Sequence, residues 1–215
     1  MSMQFDLFWS FRSPYSYLAA PKLLQMTKDY DLVCHFRPVY PLAVRVEGFF
    51  KSVNPLWPGY LIQDVPREAE RMGLPIHWPD PDPIVQDFST MEVAKDQPYI
   101  TRLTRLGAAA ERSGKGLAFA TTVSARLWGG VKDWDKGNVL AEAAAEAGLD
   151  MGDLEKIIDQ DAAALDAQIE QNEADQTTAG HWGVPLMAFE GEPFFGQDRI
   201  DTLLWRLQQK GLKRR

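Results

Sequence analysis

The chain has 215 residues, 45% hydrophobic and 25% charged, and its 23 Lys and Arg against 30 Asp and Glu give a net charge of −7; this balance excludes a disordered chain and belongs to one globular unit or a small domain carrying a large insertion. The negative field repels polyanions, which argues against a general nucleic-acid binder, and the single cysteine, Cys34, excludes an internal disulfide, a Cys-x-x-Cys pair and a cysteine-rich zinc site, in keeping with a reducing cytoplasm. No apolar run reaches about 18 residues and Asp6 interrupts the amino-terminal stretch, so neither a membrane span nor a standard signal segment is expected, and the expected location is cytoplasmic.

Residues 4–10 alternate and are rich in Phe, Leu and Trp, which predicts a strand with both faces at least partly covered. Ser13-Pro14 opens a helix over 14–28: proline at the first helical position gives up no needed N–H, and the Ser13 hydroxyl can accept from first-turn amides. Pro21 falls inside this helix, where it removes an intrahelical hydrogen bond and is expected to kink it. Residues 31–38 put Leu32, Cys34 and Phe36 on one face and Val33, His35 and Arg37 on the other, completing a β-α-β unit expected to be parallel and right-handed. Proline- and glycine-rich loops then separate helical segments over 60–72, 99–112, 117–127, 137–147, 151–160 and 163–178, with Gly73, Gly114, Gly129, Gly130 and Gly148 placed as left-handed C-terminal caps. The acidic, Ala-rich run over 141–176 repeats Leu154, Ile157, Ile158, Leu165 and Ile169 at helical spacing and reads as solvated helix. Residues 186–189 return to strand, Glu190-Gly191-Glu192 is a tight turn, 193–195 form a second strand, and Gly196-Gln197-Asp198 lead into a last helix ending near Gly211. The expected fold is α/β: a βαβ…ββα domain from 1–40 and 181–215, interrupted by a wholly α-helical insertion domain over 41–180.

Few residues offer chemistry. His35, His77 and His181 lack ligand spacing, so no metal site is expected, and Cys34 reads as a buried, inert strand residue. Ser13 is the sharpest candidate, because a helix N-terminus carries partial positive charge and free amides and stabilises an anion, a thiolate included. Its plainer role is an N-cap worth about 1 kcal/mol.

Ser13-Pro14-Tyr15-Ser16-Tyr17-Leu18-Ala19, Pro21, Gly73-Leu74-Pro75, Gly183-Val184-Pro185 and Gly196-Gln197-Asp198-Arg199, in that order, resemble the 2-hydroxychromene-2-carboxylate isomerase family and its relative, the kappa-class glutathione transferases, both with a DsbA-like thioredoxin fold. The resemblance runs from the first strand to the last helix, specific at both ends and loose through the middle. It implies a thioredoxin-like domain with Ser13 and Ser16 in place of a Cys-x-x-Cys, glutathione as cofactor, and isomerisation of a 2-hydroxychromene-2-carboxylate-like aromatic compound to its trans-o-hydroxybenzylidenepyruvate form. In that chemistry a thiolate adds to the conjugated substrate, permits rotation about the former double bond, and leaves.

By the same resemblance Ser13 donates a hydrogen bond to the glutathione sulfur and lowers its pKa, and Val184 and Pro185, joined by a cis bond, present backbone to an extended peptide. Gln197 and Asp198 hold the γ-glutamyl end, with helix capping as their ordinary role, and Asn54 lies near the glutathione. Tyr60-x-x-x-Asp64-x-x-Arg67 is a family-like helix of structural character. Phe11 and Trp57 flank the expected site and suit a flat aromatic guest, while the other tryptophans are expected mostly in the core. Arg12, where relatives carry a small or apolar residue, is placed to bind a substrate carboxylate. A glutathione transferase using the same Ser13, and a non-catalytic DsbA-like thiol-peptide binding module, stand as alternatives. The expected partners are small molecules, with a homodimer left open, and neither nucleic acid nor membrane.

Overall fold

The computed structural model describes residues 2–87 and 89–215. Strand β1 (Met3–Trp9) turns Phe5, Leu7 and Trp9 into one buried face and pairs parallel with β2 (Leu32–Pro38), from Met3 opposite Leu32 to Trp9 opposite Pro38. Helix α1 (Pro14–Asp29) makes the crossover between them, with Pro21 held inside it and Tyr17, Leu18, Leu23 and Met26 buried. At the other side of β1, strand β5 (Leu186–Phe189) runs antiparallel, and β6 (Glu192–Phe195) runs antiparallel beside β5, for a sheet order β2-β1-β5-β6. The β5–β6 hairpin turns through Glu190 and Gly191, both at positive φ (49° and 82°), as a two-residue loop matched to strand twist requires. A 3-10 turn (Gln197–Arg199) then leads into α9 (Ile200–Gln209). This is an α/β thioredoxin-like fold.

Between β2 and β5 come α2 (Leu42–Arg45), α3 (Phe49–Ser52), α4 (Leu56–Met72), α5 (Pro98–Glu111), α6 (Gly116–Trp128), α7 (Val139–Glu146) and α8 (Met151–Thr178). Several details differ from the expectation. Helix α4 begins at Leu56 rather than at 60, because a proline in the first turn, here Pro58, needs no N–H and so does not delay the start. The segment is not wholly helical: β3 (Gln86–Asp87) and β4 (Glu92–Val93) form a short antiparallel ladder. The stretches 151–160 and 163–178 are one element broken at Asp161, whose backbone leaves the helical region (φ −120°, ψ 21°). Gly129 keeps a φ of −84°, and the left-handed residue after α6 is Gly130.

One apolar cluster takes in Leu7 and Trp9 of β1, Leu103 of α5, Phe119 of α6, Leu165 of α8 and Leu203 of α9; α5, α6 and α8 pack on β2, α6 also on α1, and α7 packs on α6 and α8. On the opposite sheet face Phe8, Val39 and Leu186 form a smaller cluster with Ala179 and Val184, beneath the loop that enters β5. Among the described residues no helix is long and apolar enough to cross a membrane.

Candidate functional site

Ser13 has extended backbone (φ −92°, ψ 117°), the geometry a capping residue needs, and its Oγ accepts from the Ser16 amide at 3.1 Å. The same hydroxyl donates to the Val184 carbonyl oxygen at 3.4 Å, and Val184 is joined to Pro185 by a cis peptide bond. The start of α1 and the loop before β5 therefore meet at one side-chain oxygen, within reach of the first-turn amides and the positive end of the helix dipole. The Val184 N–H has no acceptor among the described residues, whereas the Pro185 carbonyl accepts from the Gly196 amide at 2.9 Å. Ser16 is fully buried with an unpartnered hydroxyl; its amide supports the cap, not its side chain.

Two side chains brace this loop. His181 Nδ1 accepts from the Gly183 amide at 2.9 Å, which requires an unprotonated nitrogen, and burial lowers the His181 pKa accordingly. Its ring stacks on Phe195 with centroids 3.9 Å apart, and on the same ring Gly183 closes in, since a Cβ there would stand 2.5 Å from Phe195. From α8, the buried Gln176 donates to the Gly183 carbonyl at 2.9 Å.

In front of Ser13 opens a cavity of about 380 Å³ walled mainly by apolar and aromatic side chains, among them Tyr40, Phe49, Phe50, Trp57, Trp182 and Phe195. Its size and apolar character suit a small aromatic molecule. Asn54 and Trp57 line it, Asn54 turning its Oδ1 to the Leu56 amide at 3.0 Å at the start of α4. Trp182, expected with the core tryptophans, is 63% exposed on the rim. Sequence reasoning also missed Tyr40, Phe49, Phe50 and Arg45; the aromatic run after β2 was the available signal.

Arg12 and Arg45 line the cavity, and no carboxylate among the described residues does. Arg12 is already engaged: Nε and Nη2 donate to the two oxygens of Asp82 at 2.6 and 2.8 Å. The residue expected to await a substrate carboxylate instead holds one of the chain's own, because Asp82 matches the planar guanidinium fork. Arg45, at the end of α2, is less satisfied. Its Nη2 donates to Gln176 Oε1 at 3.1 Å, but Nε has no hydrogen-bond partner and lies 3.8 Å from a Glu173 oxygen that accepts from the Tyr40 amide. Burial lowers the Arg45 pKa from its high ordinary value.

Tyr15 follows the Ser13-Pro14 start and donates to Asp64 Oδ2 at 2.7 Å, while Tyr60 and the Arg67 guanidinium donate to Oδ1. Burial pushes the Asp64 carboxyl up, but the hydrogen bonds from Tyr15, Arg67 and Tyr60 outweigh it and hold its pKa below the usual value. Burial and the Asp64 charge raise the Tyr15 phenol pKa, so Tyr15 keeps its proton. The Tyr60, Asp64, Arg67 set thereby ties α4 to the first turn of α1.

Other expected site residues lie elsewhere. Phe11 is in the core, 1% exposed and edge-on to Phe36 and Phe119; Gly107 of α5 leaves room for the ring, since a Cβ there would meet Phe11 at 3.0 Å. Pro185 is buried behind Val184. Gln197 and Asp198 sit on the 3-10 turn outside the cavity wall; Asp198 is exposed, pairs with Arg199 at 3.2 Å, and neither side chain caps the turn or α9. Cys34 is half-buried on β2, and burial with the nearby Glu111 and Asp6 charges pushes its thiol pKa up.

Known proteins share this architecture. The family described as DSBA-like thioredoxin domain matches residues 4–208. The chain is 27% identical over 208 residues to a 2-hydroxychromene-2-carboxylate isomerase of Sphingobium xenophagum, covering 94% of this chain and 97% of that one. A solved 2-hydroxychromene-2-carboxylate isomerase superposes with a TM-score of 0.69 at 23% identity over 96% of this chain and 95% of that chain. The cytosolic disulfide reductase DsbM of Pseudomonas aeruginosa, solved with GSH, superposes with a TM-score of 0.58 at 18% identity over 96% of this chain and 100% of that chain. With the family match running from the first strand to the last helix, the protein is a member of the DSBA-like thioredoxin domain family.

Proposed function

We propose that the protein is a glutathione-dependent isomerase of 2-hydroxychromene-2-carboxylate-like aromatic compounds, with Ser13 activating the glutathione thiol. The observation that carries this reading is the Ser13 hydroxyl at the start of α1, 3.4 Å from the Val184 carbonyl and on the wall of an aromatic cavity. The isomerase of Sphingobium xenophagum supports the reaction class, and the DsbM structure with GSH supports glutathione as a ligand for this fold.

Bound glutathione would supply a nucleophilic thiolate. An anion beside the first turn of α1 is stabilised by free amides and by the helix dipole. The 3.4 Å bond from Ser13 to Val184 is long for a hydroxyl donor, so its proton turns toward a sulfur at little cost. The free Val184 N–H suits an extended peptide, and the aromatic wall suits a planar substrate. With serine at positions 13 and 16, dithiol exchange has no sulfur to work with at this helix start.

Mixed with glutathione and 2-hydroxychromene-2-carboxylate, the protein is expected to change the ultraviolet spectrum of the substrate while mass spectrometry recovers glutathione unaltered. A stable conjugate would identify a glutathione transferase instead. Glutathione binding without turnover would identify a thiol-peptide binding module.

A further inference from the structure

We propose that His181 is a pH-sensitive positioning residue: its neutral ring holds the Gly183-Val184 backbone in the form that receives an extended ligand, and its protonation releases that backbone; this rests on the loop being the glutathione-binding edge of the function proposed above. The Gly183 amide donates to His181 Nδ1 at 2.9 Å, the Gly183 carbonyl accepts from Gln176 at 2.9 Å, and the Val184 carbonyl accepts from Ser13 at 3.4 Å. The Val184 side chain packs on the cluster of Phe8, Val39 and Leu186. Of the four backbone polar groups of Gly183 and Val184, the Val184 N–H alone is free among the described residues. Of the three side chains that hold the other groups, Ser13, Gln176 and His181, only the histidine changes charge between about pH 5 and about pH 8.

The ring has little room to turn away. It stacks on Phe195 of β6 and on Trp182, in both cases 21° from parallel, and a Cβ at Gly183 would stand 3.1 Å from His181 Cε1. A protonated Nδ1 carries a hydrogen and faces the Gly183 N–H as donor against donor, so the bond is lost with the charge change. These aromatic and hydrogen-bond contacts are all uncharged; from α8, the charged pair of Arg45 and Glu173 reaches the loop through Gln176. No charged side chain among the described residues perturbs the ring, and burial lowers its pKa from the ordinary 6.5. The brace is therefore complete above 6.5 and is lost as pH falls through the lowered value.

The test is calorimetric titration of the full chain with S-methylglutathione, whose thioether removes thiol ionisation from the pH profile. Wild-type affinity is expected to weaken by about three- to tenfold from about pH 8 to about pH 5, as loss of one hydrogen bond warrants. His181→Asn supplies an acceptor that does not titrate, since asparagine bonds the amide two residues on; its affinity should stay within about twofold of wild type at about pH 8 and lose the slope. His181→Phe keeps an aromatic ring without the acceptor and should bind about two- to tenfold more weakly at about pH 8, again without slope. A flat wild-type profile, or a wild-type slope in both variants, would overturn the proposal. A role in loop stability alone would lower the melting temperature of His181→Phe and leave its affinity and slope as in the wild type, which also overturns it. If the wild type binds no S-methylglutathione at about pH 8, the glutathione reading fails, and amide NMR of the free protein decides on His181, as it does if either variant lacks the wild-type circular dichroism spectrum. Gly183 and Val184 signals that move together with the His181 ring titration support the switch, and signals that stay still overturn it.

Discussion

The Ser13 hydroxyl and the Val184 carbonyl oxygen lie 3.4 Å apart across 171 residues of chain. Capping fixes the first and the entry into β5 fixes the second, and the antiparallel register that sets Phe8 opposite Leu186 brings both to the same end of the two central strands. A one-residue slip in that register would exchange the sheet's two faces and separate the pair. Helix start, sheet register and loop are therefore all needed for this one contact.

Ser13→Ala removes both the acceptor for the Ser16 amide and the donor at the proposed thiol position. Stability should fall by about 1 kcal/mol through loss of the cap. Glutathione-dependent turnover at neutral pH should fall by about ten- to a hundredfold, the equivalent of about 1.5–3 kcal/mol for a hydrogen bond to charged sulfur. Ultraviolet absorbance of bound thiolate against pH should show a raised thiol pKa; an unchanged value would leave Ser13 as a cap and no more.

Asp198→Asn is a clean variant because Asp198 is exposed, caps no helix and, among the described residues, pairs only with its neighbour Arg199. Thermal stability should be unaltered within about 0.5 kcal/mol, as for most surface substitutions. If Asp198 holds the γ-glutamyl amine, calorimetry should show weakened glutathione binding with little change in the bound thiol pKa. Wild-type affinity would remove Asp198 from the site.

The Arg12–Asp82 pair, with side chains 18% and 19% exposed, predicts a stability effect rather than a substrate effect. Arg12→Ala and Asp82→Ala should each cost about 1–3 kcal/mol in urea denaturation, because each strands a part-buried charge. The double variant should cost less than the sum of the two. Strict additivity would mean that the pair contributes no coupling.

Glu111 supplies a pH dependence. Burial raises its carboxyl pKa from 4.5 to about 7, against the opposing bonds from the Phe36 and Gly116 amides. A carboxyl that holds its proton more tightly when folded contributes most below about pH 4.5, and the contribution is lost as pH rises toward 7. Denaturation midpoints should therefore carry a downward component over that window that Glu111→Gln abolishes. The variant should be less stable overall, since glutamine offers one acceptor oxygen where two amides need one each. An identical pH slope in the two proteins would show that Glu111 does not titrate there.

The two ends of the chain were legible because their signals are local. Alternation over β1 and β2, the Ser13 cap with Pro14 behind it, and the Glu190-Gly191 turn each depend on residues close in sequence, and the family resemblance likewise rests on short local motifs such as Ser13-Pro14-Tyr15-Ser16 and Gly183-Val184-Pro185. What lines the cavity depended on which distant segments meet. Arg12 finds its carboxylate 70 residues away, Phe11 turns inward where Gly107 leaves it space, and Trp182 reaches the rim instead of the core. Periodicity assigns a residue to a face of its own element, but the neighbour that face meets is chosen by helix packing and strand register. The Ser13 cap at the start of α1 was thus written into a few adjacent residues, whereas the standing of Arg12 and Arg45 was decided only by where Asp82, Glu173 and Gln176 came to rest.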